Sequence, residues 1–332
     1  MTAYETAISL QDQKFAEFGF TKTIVNAEHV CTYTRNLGAA SDKNPVLVLL
    51  HGYPQSSYLW RHFIELLPSE TSLFIPDLPG YGASAPIENN DKLSIGKAVL
   101  SALQTQFQRS CARPSSQDIP VILIGHDRGA RVAHRLCVSG FSGVQIKGVC
   151  LIDIVPTLTQ WHSAASSRAV TGFFHWPFLA NVPQANAMIS AYGGDRWCSD
   201  LLHRWVGSRA SSLTNLASDS SFDVYTGFFL NPSVVDASNK DYEAGATVDV
   251  DEQESDQEEG RKLGCDVLVL YSEEYLGKRF DIKGVWEEWM GQRGRLECVG
   301  IGDGVGHFVV EEHPQVCAKA VVGWLHGLGR HG

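Results

Sequence analysis

The sequence predicts an α/β fold in which a mostly parallel sheet is flanked by helices and interrupted by an inserted helical cap. Short apolar runs, typical of buried strands, alternate with segments whose apolar residues recur at helical spacing. This alternation stops at Pro156 and resumes at Asp266, which indicates an insertion. In residues 121–131, four branched apolar residues precede Gly-x-Asp-x-Gly and a helical pattern, which predicts a strand, a sharp turn and a helix.

Residues 1–155 are predicted to form the first part of the core. Residues 1–45 are expected to be an antiparallel region, because Thr32-Tyr33-Thr34 alternates like a strand. Continuous apolar runs predict the buried strands that follow, and helical spacing predicts the segments between them. The predicted strands are 46–50, 73–76, 121–124 and 148–152, and the predicted helices are 60–67, 94–107 and a segment from 128 onward.

Residues 156–264 are predicted to form the cap, because they are rich in Trp, Phe and His and show a helical pattern without clear strands. Residues 265–332 complete the core, with strands at 266–271 and 296–302 and helices at 281–290 and 314–328. Near the end of the cap, the run 249–259 contains seven acidic residues and is expected to be a solvated loop.

Composition narrows the classes of protein to which the chain can belong. With 332 residues, 44% hydrophobic and 19% charged, the chain suits one large domain or one domain with an inserted subdomain. The net charge of −10 and the lack of a basic cluster argue against a nucleic-acid partner. No signal peptide or long apolar span is recognisable, so we expect no membrane association and a cytoplasmic location. The eight cysteines are far apart, which disfavours a zinc site and indicates reduced thiols.

Four groups of polar residues follow predicted strands or lie in a glycine-rich loop. They are His51-Gly52-Tyr53-Pro54, Asp127, Asp153 and, between the last strand and the last helix, His307. Sites in open α/β sheets lie beyond the carboxyl ends of the strands, so these residues are candidates for one site. The chain order nucleophile, acid, histidine is the order of the α/β-hydrolase triad, with Asp127 where a serine is usual. Acids near the strand after the cap, Glu273, Glu274 and Asp281, remain alternatives to Asp153.

An aspartate at the turn predicts a different reaction from that of a serine. A carboxylate is already ionised at pH 7, so it can displace a leaving group from saturated carbon and form an alkyl ester. His307 would then activate water to hydrolyse the ester, and Asp153 would orient His307. By analogy with the nucleophile elbow, the backbone N–H groups of Tyr53 and Arg128 would stabilise the oxyanion. The alternative is a solvated turn in which Asp127 only caps a helix.

Several segments together resemble one known family. They are 51–55, 77–82, 125–131, 151–156 and 306–308, with the more discriminating His175-Trp176 and Asp241-Tyr242-Glu243-Ala244. Over residues 20 to 325 the chain resembles the aspartate-nucleophile branch of the α/β-hydrolase superfamily. Within this branch, which includes epoxide hydrolases and haloalkane dehalogenases, it is similar to the fluoroacetate dehalogenases. The resemblance implies the α/β-hydrolase fold with eight strands, no metal or other cofactor, and a homodimer.

The resemblance also implies a role for each site residue. The nucleophile is Asp127, the acid Asp153 and the base His307; Arg128 and Arg131 bind the substrate carboxylate; His175, Trp176 and Tyr242 bind the halide. Guanidinium groups suit a carboxylate, and an imidazole, an indole and a phenol can each donate a hydrogen bond to a departing fluoride.

The sequence therefore predicts a hydrolytic dehalogenase of short 2-haloacids that converts fluoroacetate to glycolate and fluoride. One alternative is an epoxide hydrolase with the same nucleophile, in which Tyr242 and either Tyr192 or Tyr225 would donate to the epoxide oxygen. The arginine pair argues against this alternative, because an epoxide has no carboxylate. The second alternative is a non-catalytic ligand receptor, which the presence of all three triad residues disfavours.

Overall fold

The computed structural model describes residues 1–110 and 117–328, and the eight strands in these residues form a single sheet. The strands are β1 (Thr21–Val25), β2 (Val30–Arg35), β3 (Val46–Leu50), β4 (Leu73–Pro76), β5 (Ile119–His126), β6 (Val144–Ile152), β7 (Asp266–Ser272) and β8 (Leu296–Ile301). Their order across the sheet is β1-β2-β4-β3-β5-β6-β7-β8. Only the β1–β2 and β2–β4 pairs are antiparallel among these strands. The prediction of a mostly parallel sheet is confirmed.

The helices fall into two groups by their position in the chain. Those before β6 or after β7 are α1 (Ala3–Glu17), α2 (Arg61–Glu65), α3 (Lys92–Ser110), α4 (Arg128–Ser139), α14 (Ile282–Glu287), α15 (Val309–Glu312) and α16 (Pro314–Gly327). Those between β6 and β7 are α5 (Thr157–His162), α6 (Ser167–Gly172), α7 (His175–Ala180), α8 (Val182–Tyr192), α9 (Gly194–Trp205), α10 (Ser212–Ala217), α11 (Ser221–Phe229), α12 (Pro232–Gly245) and α13 (Val248–Glu258). No helix in the described part of the chain is both long and apolar enough to cross a bilayer.

The core lies around the central strands, where β3 and β5 are buried along their whole length. Continuous apolar strands of this kind are typical of a parallel sheet covered on both faces. The seven cysteines in the described residues are free thiols, and the eighth, Cys111, lies outside the described residues.

The expectation for residues 1–45 is wrong at its start, because the chain begins with helix α1 before the β1–β2 hairpin. Thr2 and Glu5 form a reciprocal capping box that satisfies free N–H groups at the start of α1. The helix is tied to the core through Gln11, whose side-chain amide donates to Asp77 Oδ2 at 2.9 Å. This contact joins residues 66 positions apart, so the local pattern gave no sign of it.

The expectation of a solvated loop at 249–259 is also wrong, because most of the run forms helix α13. Asp249 and Asp256 are buried on this helix. Asp249 accepts from the ammonium of Lys92 at 3.0 Å, and Asp256 pairs with Arg135 at 2.6 Å. Distant cations on α3 and α4 therefore hold one face of the acidic helix against the core.

Candidate active site

Asp127 lies at the turn between β5 and α4. Its φ of 46° and ψ of −115° are values that a residue with a side chain rarely adopts. The flanking glycines permit this turn: a Cβ on Gly125 would lie 2.5 Å from the nitrogen of Ala130, and one on Gly129 would collide with the carbonyl of Leu50. The strained turn holds the Asp127 carboxylate at the carboxyl end of the central strands, as in a nucleophile elbow.

His307 and Asp153 meet at the same edge of the sheet. His307 Nδ1 lies 2.6 Å from Asp153 Oδ2, and the other carboxylate oxygen accepts the Ser272 N–H at 2.9 Å. A carboxylate only accepts, so Nδ1 carries the proton that it donates. Nε2 of His307 is then the ring nitrogen that can remove a proton from water.

The alternative acids after the cap do not reach this histidine. Glu273, Glu274 and Asp281 are all exposed, whereas His307 is buried. Glu274 pairs with the ammonium of Lys278, and Asp281 caps helix α14. The geometry therefore favours Asp153 as the partner of the histidine.

The charges of the site shift the pKa values of its carboxylates and of the histidine. Burial opposes ionisation of Asp127, but the positive charges of His307 and Arg128 outweigh it, so the pKa of Asp127 lies below the usual carboxyl value. Burial also opposes charging of His307, but its hydrogen bond to Asp153 prevails and raises the pKa of His307. Burial raises the pKa of Asp153 itself. Asp127 is thus held ionised, without a proton on either carboxylate oxygen.

One backbone donor of the predicted oxyanion hole contacts the predicted nucleophile. The N–H of Tyr53 donates to Asp127 Oδ2 at 3.0 Å. A Cβ on Gly52 would lie 2.6 Å from Asp127 Cβ, so only glycine allows this approach. Arg128, the other predicted donor, is the first residue of α4, where backbone N–H groups lack partners within the helix.

The side chain of Arg128 is largely engaged by an acid of the protein. Its Nε donates to Asp241 Oδ2 at 2.8 Å and its Nη2 to Oδ1 at 2.9 Å. Asp241 also accepts from Lys92, and burial, which opposes its charge, is outweighed by these cations so that its pKa is lowered. The third nitrogen of Arg128, Nη1, is buried without a partner. The Nη1 amino group is therefore the only part of the guanidinium without a partner in the described residues, so the full fork that the sequence suggested is not free.

Arg131 differs from Arg128 because no acid of the described residues pairs with it. Its Nη1 donates to the carbonyl of Val155 at 2.9 Å and to the hydroxyl of Thr157 at 3.1 Å, both of which are neutral. Its Nε is buried without a partner. The side chain is only 4% exposed, and burial lowers its pKa to about 10, so it is still charged at pH 7. A buried positive charge with a free N–H group is suited to bind an anion.

The predicted halide residues line the same cavity as Asp127. His175 and Trp176 begin helix α7 and Tyr242 comes from α12. The ring centroids of Trp176 and Tyr242 are 5.8 Å apart, and those of His175 and Tyr242 are 5.9 Å apart. Burial lowers the pKa of His175 to about 3, so the ring is neutral and carries a single N–H. Burial raises the pKa of Tyr242, which therefore keeps its O–H.

Asp127, His307 and Arg131 line one small cavity of about 30 Å³, together with the three predicted halide residues. Arg128 and Tyr53 are not among the side chains that line it. Seven further residues that were not predicted as site residues also line it: Ile154, Gln160, Phe173, Trp205, Tyr275, Leu276 and Arg279. Tyr275 follows β7, so its position at a strand end was the available signal. The cavity suits a ligand of few non-hydrogen atoms.

In this site, the side chains of Asp153, Asp241 and His307 are hydrogen-bonded to other side chains and are not arranged as a set of metal ligands. Among residues 1–110 and 117–328, no group of three or more His, Cys, Asp or Glu side chains is arranged to hold a metal ion. Each acid has a different partner: Asp241 pairs with Arg128, and Asp153 pairs with His307.

Comparison with known proteins identifies the family to which the chain belongs. The model of the alpha/beta hydrolase family matches residues 47–320. The chain is similar to a fluoroacetate dehalogenase from a Burkholderia species, with 27% identity over 83% of this chain and 85% of that protein. It is also similar to a soluble epoxide hydrolase from a Corynebacterium strain, with 27% identity over 81% of this chain and 86% of that protein.

Solved structures give the same relationship. A mutant of a candidate epoxide hydrolase from Pseudomonas aeruginosa, solved with bound MFA, superimposes with a TM-score of 0.78 and 27% identity. The match covers 93% of this chain and 96% of that chain. The epoxide hydrolase CorEH matches over 93% of this chain and 99% of its own, with a TM-score of 0.74; at 23% identity this supports the fold alone.

Proposed function

The chain belongs to the alpha/beta hydrolase family, and on that premise we propose that it hydrolyses the carbon–halogen bond of short 2-haloacids such as fluoroacetate. One observation carries the proposal. Arg131 is a buried cation in the cavity of Asp127, and its protein hydrogen bonds in the described residues are to neutral oxygens. A substrate carboxylate would supply the anionic hydrogen-bond acceptor that Arg131 lacks, which an epoxide or a simple haloalkane cannot do.

In the proposed first step, Asp127 attacks the carbon that bears the halogen. Oδ2 of Asp127 already accepts the Tyr53 N–H, so we assign the attack to Oδ1. A carbon–oxygen bond forms, the carbon–halogen bond breaks, and the halide leaves with both bonding electrons. The substrate carboxylate would meet Arg131, which fixes the carbon near Oδ1. Arg128, whose side chain does not line the cavity, would act on the carboxylate through its charge.

Departure of fluoride is the costly part of this step, because fluoride is small and strongly hydrated. A dry cavity raises that cost unless hydrogen-bond donors replace the water. His175, Trp176 and Tyr242 would supply an imidazole N–H, an indole N–H and a phenol O–H. The guanidinium of Arg131, 4.6 Å from the ring centroid of Trp176, adds positive charge beside the departing anion.

In the proposed second step, His307 Nε2 takes a proton from water and the hydroxide attacks the ester carbonyl of Asp127. The oxyanion forms on Oδ2, where the Tyr53 N–H lies, and the N–H of Arg128 is the second donor. Collapse expels the glycolate oxygen, which takes the proton from His307. The added hydroxyl leaves Asp127 as a carboxylic acid, whose proton passes by way of the neutral His307 to solvent, so that Asp127 returns as a carboxylate. Asp153 holds the imidazole in one orientation throughout.

An epoxide hydrolase is the alternative, and the cap supports it less well. Of the tyrosines predicted to donate to an epoxide oxygen, Tyr242 lines the cavity. Tyr192 is half exposed, and its hydroxyl bonds to Asp200 on the surface. Tyr225 is buried, and its hydroxyl bonds to Glu311 at 2.8 Å. Tyr275 lines the cavity from the core and could serve as the second donor, so a test with an epoxide is needed.

The test is product release from purified protein. Fluoroacetate, chloroacetate and fluoroacetamide are compared for halide release, and styrene oxide is run alongside for diol. We expect fluoride from fluoroacetate and little from fluoroacetamide, which has the same shape but no charge for Arg131. Formation of diol without halide would replace the proposal by epoxide hydrolysis. The absence of both products would favour the non-catalytic receptor.

A further inference from the structure

Glu312, at the end of α15, is a fully buried carboxylate five residues after His307. It accepts three backbone N–H groups: Oε2 from Gly306 at 2.8 Å and from Gly207 at 2.9 Å, and Oε1 from Phe308 at 3.0 Å. Two of these donors flank His307 directly in the chain. The third belongs to the segment after cap helix α9. One carboxylate thus joins the main chain of the histidine to that of the cap.

The two joined segments also pair with each other. We call residues 303–308 the base loop and residues 205–209 the cap segment. The N–H of His307 donates to the carbonyl of Trp205 at 2.9 Å, and the N–H of Arg209 donates to the carbonyl of Gly304 at 3.1 Å. A Cβ on Gly207 or on Gly306 would collide with the backbone of the opposite segment. The segments therefore pack main chain against main chain, with Glu312 bridging them at Gly207 and Gly306.

The cap segment also contributes to the cavity. Trp205 lines it, and its ring centroid lies 4.5 Å from that of His175 and 5.8 Å from that of His307. A displacement of the cap segment would therefore move a wall of the site and the support of the histidine together.

We propose that Glu312 is a positioning residue for His307, and that it makes the position of this base depend on contact between the cap segment and the base loop. The proposal rests on the proposed function, in which His307 is the base of ester hydrolysis. A carboxylate suits this task because each oxygen accepts more than one N–H, and hydrogen bonds to an ion are shorter and stronger than neutral ones. A glutamine would turn an N–H₂ donor toward at least one backbone N–H.

The two chemical steps should respond differently to Glu312→Gln. Attack by Asp127 does not need His307 as a base, whereas hydrolysis of the ester does. A base displaced by about 1 Å can lower a rate by about a hundredfold. We therefore expect ester hydrolysis to slow about 10- to 100-fold with little change in the rate of ester formation. The ester should accumulate on Asp127 during turnover, and both kcat and KM should fall.

The experiment compares wild type, Glu312→Gln, Glu312→Asp and Asp303→Asn with fluoroacetate, and uses His307→Ala as the standard for a trapped ester. Asp303→Asn is the matched control, because it removes the exposed ion pair to Arg209, 2.9 Å, that joins the same two segments. We expect ester in both Glu312 variants, less in Glu312→Asp, and none above wild type in Asp303→Asn. If Glu312→Gln does not fold, Glu312→Asp carries the test.

Ester hydrolysis at the wild-type rate in a folded Glu312 variant would overturn the proposal. So would an equal loss of ester formation and hydrolysis, since that indicates general damage to the fold. If wild type releases no halide and His307→Ala traps no ester, the proposed function fails instead.

A measurement without substrate separates these failures. Hydrogen exchange in Glu312→Gln should accelerate in residues 205–209 and 303–308 together, with the remaining core unchanged from wild type. Exchange that accelerates in only one segment, or everywhere, would overturn the coupling whatever the substrate.

Discussion

Replacing Arg131 by glutamine should reduce activity without reducing stability. In the described residues, the guanidinium donates to the neutral oxygens of Val155 and Thr157 and pairs with no acid. A glutamine can retain a hydrogen bond to one of these oxygens. It removes a buried charge whose desolvation is only partly offset by the nearby carboxylates of Asp127 and Asp241, so that its pKa is lowered. The change therefore deletes the anion site and relieves the folded protein of an unfavourable burial.

The expected magnitude follows from the groups that are lost. A hydrogen bond to a charged group contributes about 1.5–3 kcal/mol, and Arg131 would give the substrate carboxylate one or two. The loss of one such bond, about 1.5–3 kcal/mol, corresponds to a decrease in kcat/KM of about 10- to 160-fold, and the loss of two to a larger decrease. The free energy of unfolding should stay equal or rise by about 1–2 kcal/mol, because removal of a strained or unpaired group at an active site often stabilises a protein.

The assay measures kcat/KM for fluoride release and the unfolding midpoint of the same preparation. Arg135→Gln, one turn further along α4, is the matched control, because Arg135 pairs with the buried Asp256 at 2.6 Å. It should lower the stability and leave kcat/KM within about twofold, since only the fold depends on that pair.

Two results would refute the reasoning. Arg131→Gln with unchanged kcat/KM would mean that the substrate carboxylate does not meet this arginine. A large loss of stability in Arg131→Gln, like that expected of Arg135→Gln, would mean that the group is structural.

The remaining predictions concern the nucleophile, the halide site and pH. Asp127→Asn should abolish halide release, as measured on protein whose mass excludes deamidation; turnover by the intact amide would remove Asp127 as the nucleophile. Trp176→Phe should lower fluoride release from fluoroacetate at least about tenfold more than chloride release from chloroacetate. Fluoride is the more strongly hydrated ion, so its departure depends more on the indole N–H that is lost. Equal losses would show that Trp176 only packs the cap. Ester hydrolysis requires neutral His307, whose raised pKa lies above about 6.5, so its single-turnover rate should fall as pH drops through that raised pKa. A rate that is flat through this range and falls only near the pKa of a carboxylate would contradict His307 as the base.

The fold was predictable where burial leaves a continuous apolar pattern. Strand β3 has the bounds predicted for it, and the core of β5 was recognised because its whole length is buried. Helix α13 was not predicted, because its acidic residues are neutralised by Lys92 and Arg135, which lie 157 and 121 positions away. A local sequence pattern cannot show ion pairs between residues so far apart in the chain.

The same distinction holds for the site. Asp127 and His307 stand out because glycines surround them at strand ends. The engagement of Arg128 by Asp241 was not visible, since the two are 113 positions apart and an arginine beside the nucleophile suggested a free side chain. Glu312 escaped notice for another reason: its partners are backbone N–H groups, which leave no trace in side-chain chemistry.

The most direct test of the account is to locate a covalent adduct. His307→Ala protein is incubated with fluoroacetate, digested and analysed by mass spectrometry, with styrene oxide as a parallel sample. The account predicts a carboxymethyl ester on Asp127 with release of one equivalent of fluoride, and no adduct from the epoxide. A hydroxyalkyl ester from styrene oxide and none from fluoroacetate would contradict the proposed substrate class. An adduct on any other residue would contradict the nucleophile.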